Sequence, residues 1–177
     1  MMLPKEVTTD YCGHLAHSIQ ECFERHKIQI LPGCDMRLFL DEILWLAGHD
    51  DVFNHAVSKD KTRSLQAFSK VCEAVHVEKA LRASIGIPKI EDRLNYLAKR
   101  PRSEVGQNIT GMGWELLYEL EVAGKLSNAN WTLSFDEPDI VATAPDTRFS
   151  FGFACKRPRA RESISGCLKK AAAQMGR

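Results

Sequence analysis

Residues 136–158 read DEPDIVATAPDTRFSFGFACKRP and carry the strongest structural signal in the chain. One short apolar run follows Asp139, a Pro-Asp pair within residues 144–147 predicts a tight turn, and a second run leads to Lys156. This order predicts a β-hairpin. Side chains alternate between the two faces of a strand, so Ala154 and Lys156 share one face. Across the hairpin, Asp139 is expected to face them.

The composition bounds the fold and the setting of the protein. With 177 residues, of which 44% are hydrophobic, the chain can bury a core for one domain or for a helical lobe beside a smaller α/β unit. The net charge of +1 does not by itself indicate a nucleic-acid or membrane partner, so any electrostatic binding of a partner must come from a local cluster of charges. Six cysteines without paired spacing, together with the lack of a signal-peptide pattern, predict a reduced, cytoplasmic protein. No membrane partner is expected, because no apolar run reaches roughly 18–20 residues.

The first part of the chain predicts helices only. Apolar residues recur at helical spacing in four segments: residues 6–30, a helix that Asp35 caps and Gly48 ends, residues 62–85, and a short basic helix bracketed by Gly86, Pro88 and Pro101. In the third helix Leu65 is expected in the core. The charged face of the fourth helix, which includes Arg93, is interpreted as solvated. Residues 1–105 are therefore predicted to form an all-helical lobe.

Cysteines and histidines near the first two helices raise the alternative of a zinc site, because thiolates and imidazoles are the usual zinc ligands. The candidates are Cys12, His14, His17, Cys22, His26 and Cys34. No pair of them has zinc-finger spacing, and on one helix they do not all share a face. Ordinary core and surface positions are therefore the favoured interpretation.

The helix predicted at residues 107–126 carries two carboxylates in an apolar setting. At about 100° per residue, Glu115 and Glu119 fall between two apolar stripes, whereas Glu121 lies on the far side. A buried carboxylate is costly unless it meets a cation, a metal ion or a water-filled cleft. The alternative interpretation is an ordinary i, i+4 pair that faces solvent.

After Gly124 the apolar pattern changes to period two, and it returns to helical spacing at residues 161–175, where Ile164 and Leu168 are expected to be buried. Helix, three strands and helix is thus the predicted order. Between Lys156 and Lys170, six basic residues and one acid leave a net charge of +5. An anionic partner is expected to bind there.

Four motifs occur in order in this part of the chain: WELLYELEVA from residue 114, EPDI from residue 137, FACKRP from residue 153, and an Ala-rich helix ending AQM at residue 175. Together they resemble the PD-(D/E)xK nuclease-like superfamily, over about residues 106–175. The resemblance implies an α/β (α+β) protein, with a restriction-endonuclease-like α-β-β-β-α core in residues 106–177. The last strand of the superfamily core has no counterpart in this sequence. Either the strand is missing, or a second copy or an additional chain completes the sheet, or the sequence is a fragment of a longer protein.

The same resemblance implies a metal-dependent nuclease that hydrolyses phosphodiester bonds, with DNA as the expected substrate and Mg²⁺ or Mn²⁺ as the cofactor. Asp139 would ligate the metal, with Glu119 or Glu115 as a further ligand and the Cys155 carbonyl as a neutral one. Lys156 would orient the attacking water or stabilise charge at phosphorus. The residues expected to contact nucleic acid are Arg157, Arg159, Arg161, Lys169, Lys170 and Gln174.

One position departs from the pattern of the superfamily. Ala154 stands two residues before the lysine, where the family has a second acidic ligand. A carboxylate from elsewhere could replace that ligand, and the candidates are Glu119, Glu115, Glu137 and Asp146. Otherwise the chain is a catalytically degenerate nuclease fold that binds nucleic acid or protein. A third interpretation makes residues 1–105 a protein-interaction lobe and the remainder its scaffold.

Overall fold

The computed structural model describes residues 9–53, 61–99, 111–155 and 164–175. Its helices are α1 (Thr9–Arg25), α2 (Asp35–Ala47), α3 (Lys61–Ser84), α4 (Ile90–Lys99), α5 (Gly111–Asn128) and α6 (Ile164–Met175), with a 3-10 turn at Asp50–Val52. The strands are β1 (Thr132–Ser134), β2 (Ile140–Thr143) and β3 (Ser150–Phe153). The protein is therefore a mixed α+β fold in which helices dominate, and this coarse class is the predicted one.

The described residues form two compact units. The first contains the residues up to Lys79 together with Ala98 and Lys99, and the second contains Ala80–Leu97 together with the residues from Gly111 onward. The domain boundary at residue 105 stays a prediction. In the structure, residues 80–97 belong to the unit that carries the sheet.

The first unit is helical. α1 and α2 pack against each other, and their largest fully buried side chains are Ile19, Phe23, Phe39, Leu40 and Ile43. These residues recur at the three- and four-residue spacing that places apolar side chains on one face of a helix. Ser18 also donates a 2.9 Å hydrogen bond to Glu78 of α3. Apolar burial and this polar contact together join the three helices of the unit.

The second unit contains the hairpin that the sequence predicts. β2 and β3 are antiparallel, with Ile140 opposite Phe153, and the Thr147 N–H donates a hydrogen bond to the Ala144 carbonyl at the turn. β1 pairs with the other side of β2, so the strand order is β1-β2-β3. The sheet thereby places the start of β2 and the end of β3 side by side.

Helix α5 packs closely against the end of α3 and also contacts β1 and β2. Gly124 permits the close approach to α3, because a Cβ at this position would lie 2.4 Å from the Cβ of Ala83. Ser84, at the end of α3, lies 2.8 Å from the carbonyl oxygen of Leu120. Gly86 then takes a φ of 90°, which glycine adopts without strain, and the chain turns into α4.

The N-cap of α2 differs from the prediction. Cys34, not Asp35, is the N-cap residue, and its sulfur accepts a hydrogen bond from the N–H of Arg37. Asp35 is instead the first helical residue. A carboxylate in the first turn still interacts favourably with the helix dipole.

Three apolar side chains that were predicted to be buried are exposed. Leu65 is 67% exposed, because the buried face of α3 follows a different line of residues, namely Ser64, Ala67, Val71 and Ala74. Ile164 and Leu168 of α6 are 44% and 65% exposed, since the described part of the chain does not cover this face of the helix. The expected burial of α6 is therefore wrong for these two residues.

Five cysteines are free thiols in the described part of the chain, namely Cys12, Cys22, Cys34, Cys72 and Cys155. Within the same residues, no helix combines the length and the apolar character that crossing a lipid bilayer requires. The reduced, cytoplasmic setting predicted from the cysteines stays a prediction.

Candidate functional site

Asp139 is a buried acid at the start of β2. It is 8% exposed, and its Oδ2 accepts a 2.7 Å hydrogen bond from the backbone N–H of Cys155. This contact follows from the strand register, because extending the pair of Ile140 and Phe153 by one residue sets Asp139 opposite Ala154. The hairpin thus fixes the carboxylate beside the residue that directly precedes Lys156.

Glu115 and Glu119 line one pocket, together with residues of α4. The pocket has a volume of about 250 Å³ and is lined by Asp92, Arg93, Tyr96, Glu115, Leu116 and Glu119. Glu119 has a side chain that is only 12% exposed. Glu121 points elsewhere, because it forms a 2.7 Å salt bridge with Lys125 on the exposed side of the helix. The sequence spacing therefore distinguishes the two pocket glutamates from the third.

Arg93 of α4 connects this pocket to Asp139. Its Nε lies 3.5 Å from Oε2 of Glu119, and its Nη2 donates a 3.2 Å hydrogen bond to the carbonyl oxygen of Asp139. The guanidinium carbon also lies 5.4 Å from the centre of the Phe135 ring, which is a cation–π contact. One cation therefore touches the helix acid, the backbone of the strand acid and an aromatic side chain.

The sequence interpretation missed Arg93, although a signal was present. Ile90, Leu94 and Leu97 form the apolar stripe of α4, and all three are buried. Arg93 is three residues after Ile90 and four before Leu97, so it lies at the edge of that stripe and not on the opposite face. A basic residue in that position is placed at the boundary between the core and solvent.

The pocket has an excess of negative charge. Asp92, Glu115 and Glu119 contribute carboxylates, and among the residues that line the pocket Arg93 is the basic one. Outside the pocket, the Asp136 pKa lies below its ordinary value because a hydrogen bond from Lys89, and a second from the backbone N–H of Glu137, stabilise its carboxylate. Lys89 and Asp136 therefore pair with each other, and Lys89 does not offset the negative charge of the carboxylates that line the pocket.

Several residues of the predicted site lie outside the described residues. They are Lys156, Arg157, Arg159 and Arg161, together with the side chain of Gln174. Lys169 and Lys170 are exposed on α6. Glu137 and Asp146, the other candidates for the missing acid, are exposed as well.

Few of the described side chains near Asp139 and Glu119 could donate an atom to a metal ion. In the part of the chain that the structure describes, no three His, Cys, Asp or Glu residues form a group that could hold a metal ion. Mg²⁺ differs from zinc because it is commonly held by only one or two carboxylates plus water and substrate phosphate. Arg93 contacts the carboxylate of Glu119 but only the backbone carbonyl of Asp139, so a Mg²⁺ site made of both carboxylates stays a prediction.

Comparisons with known proteins give no independent assignment. No protein-family model matches the chain, no match is found among curated proteins, and no solved structure matches it. The relation to the PD-(D/E)xK superfamily therefore stays a prediction from the motifs.

Proposed function

We propose that the second unit belongs to a metal-dependent nuclease that hydrolyses phosphodiester bonds, with DNA as the expected substrate. The observation that carries the proposal is the double contact of Arg93, which joins the backbone of Asp139 to the carboxylate of Glu119. The backbone of Asp139 and the carboxylate of Glu119, 20 residues apart in sequence, thereby flank one cation. Members of the superfamily can carry the second acid on the helix when it is missing from the strand, and Glu119 would then take that place.

Each residue has a separate task in this proposal. Asp139 and Glu119 supply carboxylate oxygens, and the Cys155 N–H orients the Asp139 carboxylate through its 2.7 Å hydrogen bond. Lys156 directly follows Cys155 and provides an ammonium group that orients water or stabilises charge at the phosphoryl group. A bound Mg²⁺ ion would polarise the phosphodiester and lower the pKa of its water ligands. The restriction-endonuclease-like core is part of the same proposal.

The second candidate function is binding of nucleic acid without cleavage. Ala154 supports this candidate because a methyl group cannot ligate a metal, and the ion pair of Glu119 with Arg93 already neutralises one of the acids. The basic residues between Lys156 and Lys170 would then hold phosphates without hydrolysis. The two candidates share a binding surface and differ in whether the bound nucleic acid is cleaved.

The experiment that separates them is incubation of supercoiled plasmid with the purified chain and Mg²⁺ or Mn²⁺. The wild type should nick the plasmid, EDTA should stop the reaction, and Lys156→Ala and Asp139→Asn should each lower the rate by at least about a hundredfold. Lys89→Ala is the matched control, since it removes a lysine of the same unit whose partner is the exposed Asp136.

Equal cutting by the wild type and Lys156→Ala would identify a contaminating nuclease and remove the proposal. A wild type that shifts DNA in a gel without cutting it, with a shift that weakens steeply as salt increases, would support the binding module instead. In that case Lys169→Glu and Lys170→Glu should weaken the shift, because both side chains are exposed on α6.

A further inference from the structure

Strand β3 is open along one edge in the described part of the chain. It pairs with β2 on one side, and no described strand lies on the other. At the opposite edge of the sheet, the chain that leaves β1 is engaged elsewhere, because the Phe135 N–H donates a 3.2 Å hydrogen bond to the Pro88 carbonyl. The backbone groups of an open edge are a template for a further strand. The β3 edge is therefore the side of the sheet that can accept one.

Ser150 and Gly152 present their backbone groups to this open edge. The Cys155 N–H points toward β2, where it donates its hydrogen bond to Asp139, and the direction of the backbone groups alternates along a strand. The residues two and four positions before Cys155 therefore also point toward β2, which leaves Ser150 and Gly152 pointing outward. The hydroxyls of Ser150 and Thr143 agree with this assignment, because they lie 2.7 Å apart and side chains approach most closely in pairs that exchange no backbone hydrogen bond.

The apolar face of the sheet continues onto β3, where it is only partly covered. Ala142 of β2 is fully buried on that face, and Phe151 lies directly opposite it, so the Phe151 side chain is on the same face. Nevertheless Phe151 is 48% exposed, and Phe149 is 73% exposed. The ring centres of Phe151 and Phe153 lie 5.9 Å and 6.2 Å from that of Trp131, within the range of aromatic pairs. The sheet thus ends in an aromatic cluster with apolar surface left at its edge.

The open edge lacks the features that usually keep edge strands apart. Residues 149–154 read FSFGFA, with neither a charged residue nor a proline. Charges and prolines on an edge strand oppose pairing with another strand. Because β3 is uncharged and aromatic, the partner that fits it is another uncharged strand with aromatic side chains.

A second β3 strand meets this requirement, because the stretch is complementary to itself. In an antiparallel pair around a twofold axis at Phe151, the outward N–H and C=O groups of Ser150 meet those of Gly152 in the second copy, and the reverse. Arg148 then lies opposite Ala154, so no two like charges of the described residues face each other. One register therefore pairs the outward backbone groups of both copies without electrostatic repulsion.

We propose that two copies of this chain associate through β3, whose strands pair antiparallel around a twofold axis at Phe151. The pairing joins two three-stranded sheets into one. In this register Phe151 lies opposite itself and Phe149 lies opposite Phe153, so aromatic side chains of one copy cover those of the other. The association uses none of the residues assigned to cleavage and does not rest on the proposed function.

Sedimentation velocity of the wild type, from about 1 μM to about 100 μM, measures the association. The mass should rise with concentration from 19.9 kDa toward twice that value. Phe151→Lys sets two ammonium groups opposite each other and should raise the dissociation constant at least about a hundredfold. Leu65→Lys is the matched control, because it also replaces an exposed apolar side chain but lies on α3, and it should leave the dissociation constant unchanged.

Two outcomes of this experiment overturn the proposal. The first is a wild type that stays monomeric over the whole concentration range. The second is a Phe151→Lys variant that dimerises as tightly as the wild type, because the contact would then lie elsewhere on the surface.

A mixture of two variants tests the position of the twofold axis. Phe151→Lys and Phe151→Glu should each be monomeric alone, since each sets like charges opposite each other. Mixed in equal amounts, they should form a dimer that contains one copy of each variant, because residue 151 then faces an opposite charge. A mixture that stays monomeric, beside a wild type that dimerises, overturns the register at Phe151.

Hydrogen exchange of the wild type covers the case in which these variants do not fold. The amides of Ser150 and Gly152 should exchange more slowly at high than at low protein concentration, because they become paired only in the dimer. The amides of Phe151 and Phe153 point toward β2 and should change much less. Dimerisation without slower exchange at Ser150 and Gly152 overturns pairing through the β3 edge.

Discussion

The carboxylate of Asp139 and the backbone N–H of Cys155 are joined by a 2.7 Å hydrogen bond in a buried setting, so the start of β2 is tied to the chain just beyond β3. Asp139→Ala removes the acceptor and should lower the free energy of unfolding by about 1–3 kcal/mol. Asp139→Asn keeps an oxygen acceptor and should cost clearly less. Urea unfolding of both variants measures the difference, and equal costs would show that this hydrogen bond does not stabilise the hairpin.

Ser84 and Ser64 are both fully buried in α3, but replacing each of them with alanine should have opposite effects on the stability of the protein. Ser84 Oγ lies 2.8 Å from the carbonyl oxygens of both Ala80 and Leu120, so Ser84→Ala should destabilise the protein by about 1–2 kcal/mol. Ser64 Oγ has no hydrogen-bond partner among the described residues. Ser64→Ala should therefore be neutral or stabilising, since it removes a buried polar group that gains nothing in return. Thermal unfolding compares the two, and a larger loss at Ser64 would contradict the assignment.

Two helix glycines form a second matched pair. Gly124→Ala places a Cβ 2.4 Å from the Cβ of Ala83, and this overpacking should cost about 1–3 kcal/mol despite the better helix propensity of alanine. Gly166→Ala in α6 meets no atom within 4 Å and should stabilise the protein by up to about 1 kcal/mol. Adding Ala83→Gly to Gly124→Ala should restore part of the loss. Equal effects at the two glycines in chemical denaturation would exclude close packing as the cause.

The buried thiol of Cys12 predicts a loss of stability at alkaline pH. Burial raises the Cys12 pKa from its ordinary value of 9.0 to about 11. Between these values the unfolded chain loses the thiol proton while the folded chain keeps it, so the unfolded state is favoured increasingly as the pH rises. The melting temperature should thus fall less between about pH 8 and pH 10 in Cys12→Ala than in the wild type. Parallel pH profiles for the two proteins would contradict this prediction.

The sequence predicts best those helices and strands in which apolar residues recur at a regular spacing. The hairpin of residues 136–158 combines alternation with a turn signal, and its antiparallel pairing and turn occur in the structure. The stripe of α4 is equally local, and Ile90, Leu94 and Leu97 are all buried. Glu115 and Glu119 could be placed in one pocket for the same reason, because helical geometry alone fixes their common side.

The predictions that depend on packing partners were less successful. Leu168 is apolar and correctly spaced for burial in α6, yet spacing does not tell whether another element covers that face, and the side chain is 65% exposed. Arg93 shows the converse, because a charged residue suggests solvent until its partners in other elements are known. Its contacts with Glu119 and Asp139 span 26 and 46 residues of sequence, which no local pattern reports.

The chemistry of the Arg93 guanidinium has a consequence for the charge beside Glu119. An arginine stays protonated at every pH at which proteins remain folded. The positive charge beside Glu119 is therefore permanent, whereas a histidine in the same place would gain or lose its charge near neutral pH. The second unit thus keeps one fixed positive charge between α4 and the carboxylate of Glu119 on α5.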